Sequence, residues 1–561
     1  TSQNINKLKW LFGDSPQIKK PTITGNFVGP RANMISPWST NAVEIAQNMG
    51  IKEILRIEEY LNKNIVEVID PMLVIEIDGL NQNLFTVNIK PKKVLQVQNI
   101  DAYNQKEGLA LNSDEIKYLK NLAKSLKRPL TDSEVFGFSQ VDSEHCRHKI
   151  FNGEFIIDGK IQESSLFNLI KKTSKENPNT IVSAYKDNVA FIEGPRIEQF
   201  APESPERPSR YVKKNIDSVI SIKAETHNFP TTVEPFNGAA TGSGGEIRDR
   251  LAGGKGSLPL AGTAVYMTPY SRIQDDWKDI PFKERKWLYQ TPIEILIKAS
   301  NGASDFGNKF GQPLISGSLL TFEHEENGKR LGFDKVIMLA GGIGYGKKDQ
   351  AQKGLPKKGD KIIILGGDNY RIGMGGAAVS SADTGAFASA IELNAVQRSN
   401  PEMQKRVANA IRALVESNYN PIISIHDHGA GGHLNCLSEL VEDSGGIIEI
   451  DELPLGDPTL SAKEIIGNES QERMGLILSP KDSEHLENIA RRERAPFFVV
   501  GEVTDDHTFS FHSKKTNETP IDLKLSAFFG SSPKTVMEDT LISHLYGELS
   551  YTKKEIEKYI V

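Results

Sequence analysis

A chain of 561 residues has room for three or four domains, each with its own core. A formal net charge of −6, with 25% charged and 38% hydrophobic residues, leaves no basic footprint for nucleic acid. The N-terminus "TSQNINKLKW" has no signal-peptide core and no apolar run spans a bilayer, so a cytoplasmic protein without nucleic-acid or membrane partners is expected. Two cysteines far apart, Cys146 and Cys436, exclude a disulfide framework and a cysteine-rich metal centre.

In chain order, residues 1–95 read as a small α/β domain. "NAVEIAQNMGIKEILRIEEYL" (41–61) has helical apolar spacing, and "VIEIDG" and "LFTVNIK" alternate like the strands of a hairpin. Residues 96–130 read as a helical linker: in "NSDEIKYLKNLAKSLKR" an Asn/Ser cap precedes a stripe of Ile116, Leu119, Leu122 and Leu126. From residue 131 short β-rich runs alternate with glycine-rich turns, and the proline-rich "APESPERPSR" (201–210) is expected as an exposed crossing. The Lys/Gly/Pro stretch 346–360 marks a boundary. Beyond it "KIIILGG" and "PIISIHDHGAGGHLNCLSELVED" each read as strand, glycine turn, helix. The tail from 536 is polar with a helical pattern.

The densest chemistry lies in "KAETHNFPTTVEPFNGAATGSGGEIRDR". A strand ending in Lys223-Ala-Glu225 puts cation and carboxylate on one face, followed by His227 and Asn228. Gly238, Ala239, Ala240, Thr241, Gly242, Ser243, Gly244 and Gly245 then read as a loop whose exposed backbone N–H groups cradle phosphate. Arg248 adds a positive fork and Asp249 a hard oxygen ligand suited to magnesium. The bland alternative is that the glycines only make turns. "DSEHCRHKIF" gathers His145, Cys146 and His148 at a spacing that matches no common zinc site, and a cysteine nucleophile there has no recognisable partner signature. In "SIHDHGAGG" Asp427 ends a strand, placed to hold a metal, with His426 and His428 on the other face. "NESQERMG" concentrates Glu469, Ser470 and Gln471, donors and acceptors for a ribose, amide or phosphate, the alternative being a capped loop with Ser470 and Glu472 as local turn formers.

Together these strings, with "PRANMISPWSTNAVEIAQNMG", "VQRSNPEM" and "RRERAP", resemble the large single-chain formylglycinamide ribonucleotide amidotransferases (phosphoribosylformylglycinamidine synthases). The resemblance implies an α+β chain: a small N-terminal domain, a helical linker, and an aminoimidazole-ribonucleotide-synthetase-like unit with halves at 131–345 and 346–535. It implies ATP and Mg2+ as cofactors, and conversion of formylglycinamide ribonucleotide to its amidine with glutamine-derived ammonia. By motif, His145 and His227 would be catalytic, and Lys223, His148 and residues 238–245 would lie on ATP. Thr226, Asn228, Arg248, Gln397, Glu469, Ser470 and Gln471 would touch the ribonucleotide, and Glu225, Asp249 and Asp427 would hold magnesium. Phe229 stands where relatives often carry histidine, and packing is expected of it. A fragment is expected, with the glutaminase domain missing and the second synthetase half missing or supplied by self-association. The alternative is another ATP-using member of the superfamily, such as a thiamine-phosphate or selenophosphate kinase.

Overall fold

A computed structural model describes residues 2–67, 69–144, 147–273, 286, 289–326, 328–333, 335–470, 472–529, 533–542, 551–552 and 554. They fall into two compact units, residues 1–146 with 179–532, and residues 147–178 with 533–561.

In the larger unit the N-terminal segment forms a small sheet in which Thr22–Pro30 pairs antiparallel with Val74–Asn81, Phe27 opposite Ile77. That pairing replaces the hairpin expected from "LFTVNIK", which has no strand: the partner of "VIEIDG" comes from before the helix. The helix itself, Pro37–Asn48, is shorter than the apolar spacing suggested. Ser36 caps its start, and Gly50 at φ +84° turns the chain out of helical geometry just past its end. The linker helix Ser113–Leu126 forms as read, with a reciprocal Asn112–Glu115 capping box and Leu119 buried.

Two sheets build the rest. The first has six strands in the order Leu314–Thr321, Leu258–Thr268, Ile337–Lys347, Tyr211–Thr226, Ala190–Pro202, Ile181–Ser183. The proline-rich crossing joins two of them as a hairpin closed by Glu203 N–H donating to Arg210 O at 3.0 Å. One face is covered by the helices Pro235–Leu251 and Pro292–Phe310. The second sheet has seven strands, and the third in order, Lys361–Gly366, is apolar and buried from Ile362 onward. On one face Val407, Ile411, Leu414, Leu486 and Ile489 from two helices form a core continuous with Ile247 and Leu251. On the other face the linker's Leu119 and the 132–141 helix's Phe138 join Leu434 and Leu437.

The glycine-rich segment is not a loop. Residues 238–245 are the interior of the helix Pro235–Leu251, all buried, so their N–H groups serve the helix ladder. Glycine costs a helix about 1 kcal/mol per residue, and here close packing outweighs that. A Cβ on Gly238 would stand 2.4 Å from the backbone of Pro230 and Thr231, and one on Gly242 2.9 Å from His227 Cβ.

In the smaller unit Val536–Asp539 pairs parallel with Glu154–Ile157. The expected helical tail therefore begins as a strand, and its residues 543–550 and 555–561 lie outside the described residues.

Candidate functional site

Strand alternation sets the first group. In Tyr211–Thr226, Lys223 and Glu225 face the small-residue helix, while Ile222, Ala224 and Thr226 point to the opposite, exposed side. Thr226, expected on substrate, is thereby separated from the other site residues of its strand. Helical spacing puts Arg248 and Asp249 within reach of the strand, and Lys223 Nζ meets Asp249 Oδ2 at 2.5 Å. The missing side chains of Gly242 and Gly245 let His227 and Glu225 lie against the helix, the latter's Oε2 3.1 Å from where a Gly245 Cβ would stand.

The second sheet supplies the other side. Ser424–Asp427 ends with Asp427, whose Oδ2 is 3.8 Å from Arg248 Nε. Asn188 Nδ2 donates to Asp249 Oδ1 at 3.0 Å and to Asp427 Oδ1 at 2.9 Å. His426 pairs with Glu439 but also lies at the acid cluster, with Nδ1 3.4 Å from Asp427 Oδ1 and Nε2 3.4 Å from Asn188 Nδ2, so it does not flank Asp427 on the other face as expected. His428 faces the 432–440 helix, with Nε2 2.9 Å from His433 Nδ1.

Burial dominates the electrostatics. It pushes Asp249 up to about 7, helped by the charge of Asp427 and opposed by Lys223. Glu225 is raised by burial and by Asp249. For Lys223 burial opposes charge, but Asp249, Glu225 and Asp427 outweigh it and hold the ammonium firmly protonated. Burial lowers His227 and keeps it neutral; its Nδ1 lies 2.6 Å from the Gly238 carbonyl, which accepts the Nδ1 proton and leaves Nε2 as the basic nitrogen. Arg248 Nη1 donates to Gln404 Oε1 at 2.8 Å. Its Nε, like Glu225 Oε2 and Ser243 Oγ, is buried without a hydrogen-bond partner among the described residues.

The larger unit also holds a cavity of about 270 Å³. Gln397, Glu469 and Ser470 line it, joined by Asn237, Asp368 and Arg398, and by Met34, Ile35 and Leu73 of the N-terminal domain. Glu469 accepts from Gln397 Nε2 at 2.7 Å and from the N–H groups of Ala377 and Gly431, each at 3.1 Å. Burial nevertheless pushes it up to about 7. Ser470 Oγ donates to Asn468 Oδ1 at 2.5 Å, the local turn role weighed for it.

Each of the remaining expected residues has its own surroundings. Asn228 Oδ1 accepts from Met338 N at 3.1 Å, and Phe229 is buried with Val233, Val379 and Val396. Exposed His148 starts a short helix in the smaller unit. His145, Cys146 and Gln471 lie outside the described residues. Residues 238–245 offer no N–H cradle, the physical basis on which phosphate was read there. Among the described residues no three His, Cys, Asp or Glu side chains are gathered to hold a metal ion; Lys223 and Asn188 stand among the acids instead. Sequence reading passed over Asn188, Arg398, Gln404 and Asp368. Two of them had a signal: Asp368 in the strand-to-glycine turn "KIIILGGDN" and Arg398 in "VQRSNPEM".

Three family descriptions match the chain: Formylglycinamide ribonucleotide amidotransferase N-terminal at residues 1–70, the linker domain of the same family at 100–149, and AIR synthase related protein, C-terminal domain, at 357–514. Among solved structures, T. maritima PurL complexed with FGAR is 25% identical with a TM-score of 0.52, covering 79% of this chain and 62% of that one. T. maritima PurL complexed with ATP is 22% identical at 0.51, covering 79% and 61%. PurLQS from Thermotoga maritima is 23% identical at 0.51, covering 78% and 58%. The chain thus spans about three fifths of the length of these structures.

Proposed function

We propose, for a chain that belongs to the formylglycinamide ribonucleotide amidotransferase family by its N-terminal, linker and synthetase-related domains, that it carries the synthetase half of that reaction. In this reading ATP phosphorylates the glycinamide carbonyl oxygen of formylglycinamide ribonucleotide, ammonia adds at the same carbon, and phosphate leaves as the amidine forms with the formyl group untouched. An amide oxygen is a poor leaving group, so the protein's task is positioning, charge neutralisation and exclusion of water.

One observation carries the reading: partly buried Lys223 and Glu225 of one strand with His227 just past its end, and buried Arg248 and Asp249 of the small-residue helix and Asp427 of the second sheet, converge in one cluster. Lys223 and Arg248 would bear on the triphosphate, and neutral His227, basic at Nε2, would move the proton lost by ammonia. Gln397, Glu469 and Ser470 would hold the ribonucleotide in the cavity they line. With residues 238–245 helical, their part is to bring His227 and Glu225 close, and any contact with ATP would fall at the helix side chains.

Magnesium held by Glu225, Asp249 and Asp427 does not fit the site as it stands among the described residues, since the Lys223 ammonium and the Asn188 amide already bridge these acids. A glutaminase partner would supply ammonia. A second synthetase unit, or a second copy, would cover the open face of the six-stranded sheet, where Ile222 and Ile343 stand exposed as neighbours.

Calorimetry checks the function. The chain should bind AMPPCP with MgCl2, and formylglycinamide ribonucleotide, while Lys223→Met and Asp249→Asn should weaken the nucleotide at least about tenfold, the loss of one buried charge contact. Folded protein with no nucleotide binding, or variants that bind as wild type does, would overturn it.

A further inference from the structure

Asp368 stands two residues past the strand Lys361–Gly366, in the turn "GGDN". The backbone on either side of it is held. Gly366, at φ +132°, lies so close to Glu472 O that a Cβ would approach it to 2.1 Å, and its N–H donates to Pro496 O at 3.0 Å. Buried Asn369 donates its N–H to Pro454 O at 3.3 Å, and its carbonyl accepts from Gly456 and Asp457 at 3.0 and 2.9 Å. The Asp368 carboxylate is therefore fixed in place to within its own side-chain torsions.

That carboxylate opens into the 270 Å³ cavity, and among the described residues it has neither a hydrogen bond nor an ion pair. The cavity's other acids are occupied: Glu469 takes the N–H groups of Ala377, Gly431 and Gln397, and Glu472 Oε1 accepts from Asn400 N at 2.6 Å. Arg398, the one cation among the described lining residues, is occupied too. Its Nε and Nη2 donate to Asp70 Oδ2 and Oδ1 at 2.6 and 3.1 Å, and its Nη1 donates to the Val396 carbonyl. An end lined by three acids and an engaged arginine repels a phosphate and receives donors, because an ionised carboxylate only accepts. Although open to the cavity, Asp368 loses enough water there to raise its carboxyl above the ordinary range, against the charge of Arg473. Hydrogen bonds from a ligand would replace that water.

A ribonucleotide carries its paired donors on the ribose, where two adjacent hydroxyls match the two oxygens of one carboxylate. The carbon face of the same ring suits the apolar wall of Met34, Ile35 and Leu73. We propose that Asp368 is the ribose receptor of this cavity: its two oxygens accept the 2′- and 3′-hydroxyls of the ribonucleotide, and the phosphate lies away from this acid-lined end. The inference rests on the reading above that the cavity takes the ribonucleotide. It makes Asp368 the residue that selects a ribosyl over a 2′-deoxyribosyl ligand.

The experiment is calorimetry on the full chain as wild type, Asp368→Ala and Asp368→Asn, with formylglycinamide ribonucleotide and with its 2′-deoxy analogue, thermal midpoints confirming that each variant is folded. Wild type should bind the ribonucleotide at least about tenfold more tightly than the analogue, the loss of one hydrogen bond to a charged group. Asp368→Ala should bring that ratio to about twofold or less by weakening the ribonucleotide more than the analogue. Asp368→Asn keeps the shape and loses the charge, so its ratio should fall at least about threefold below wild type, and it decides the matter where Asp368→Ala does not fold. A residue that only shapes the turn predicts both ligands weakened alike with the ratio unchanged, and that outcome overturns the inference alone. So does a wild type that binds both ligands equally. A wild type that binds neither overturns the inference together with the ribonucleotide reading.

Discussion

Glu469 illustrates what a single buried acid implies. Its carboxylate is ringed by the N–H groups of Ala377, Gly431 and Gln397, which favour the charged form, yet burial outweighs them and brings it up to about 7. An acid raised in the folded state binds its proton more tightly there than in the unfolded chain. Stability therefore falls as pH rises from the ordinary glutamate range to about 7, and is level above it. Glu469→Gln removes this group's slope, so denaturant midpoints between about pH 5 and 8 should fall less with rising pH than in wild type. An unchanged slope would show that other groups set it. Glu469 was legible in "NESQERMG" because carboxylate, hydroxyl and amide occur together there. Asn188 was not: a lone asparagine after an aspartate is an ordinary turn residue until the fold brings Asp249 and Asp427 to it.

The same contrast holds for elements. Periodicity located the linker helix and the strand bearing Lys223 and Glu225 because caps and alternation are local signals. It misread residues 238–245, since glycine's low helix propensity points to a loop and the reason to override it lies in other segments. Three neighbours demand small residues: the Pro230–Thr231 backbone at Gly238, His227 at Gly242, and Phe306 at Gly244. Gly238→Ala, although it raises helix propensity, should destabilise by about 1–3 kcal/mol because backbone cannot yield as a side chain can. Gly242→Ala should cost less stability and displace His227, whose Cβ it would approach to 2.9 Å. Urea denaturation measures the first, and the His227 imidazole resonances the second. A stabilised Gly238→Ala variant would refute the packing account.

For the molecule as a whole, the open face of the six-stranded sheet is the feature without an internal explanation. Helices cover one face. Across the other, Ile222 lies opposite Ile343, and Met267 opposite Leu320, the last 49% exposed. A sheet with one helical layer needs a second cover when its outer residues are apolar. Sedimentation velocity on the chain alone should show association that rises with concentration. Ile343→Lys should return it to monomer, a charge at the centre of an apolar contact being strongly unfavourable. A wild type that stays monomeric at all concentrations, or a lysine variant that associates equally, would remove this face as the contact.

What the amino-acid order determined unaided was local: where helices and strands recur, which stretches are dense in acids, histidine and small residues, and hence the resemblance to the family whose N-terminal and linker descriptions match residues 1–70 and 100–149. Those properties depend on spacing of a few residues and survive without a fold. Tertiary structure alone decided that the glycine-rich segment is a helix and that Asn188 stands between two acids. Each depends on residues far apart in the chain meeting at van der Waals or hydrogen-bond distance, where packing and burial exceed the fractions of a kcal/mol that local propensity supplies.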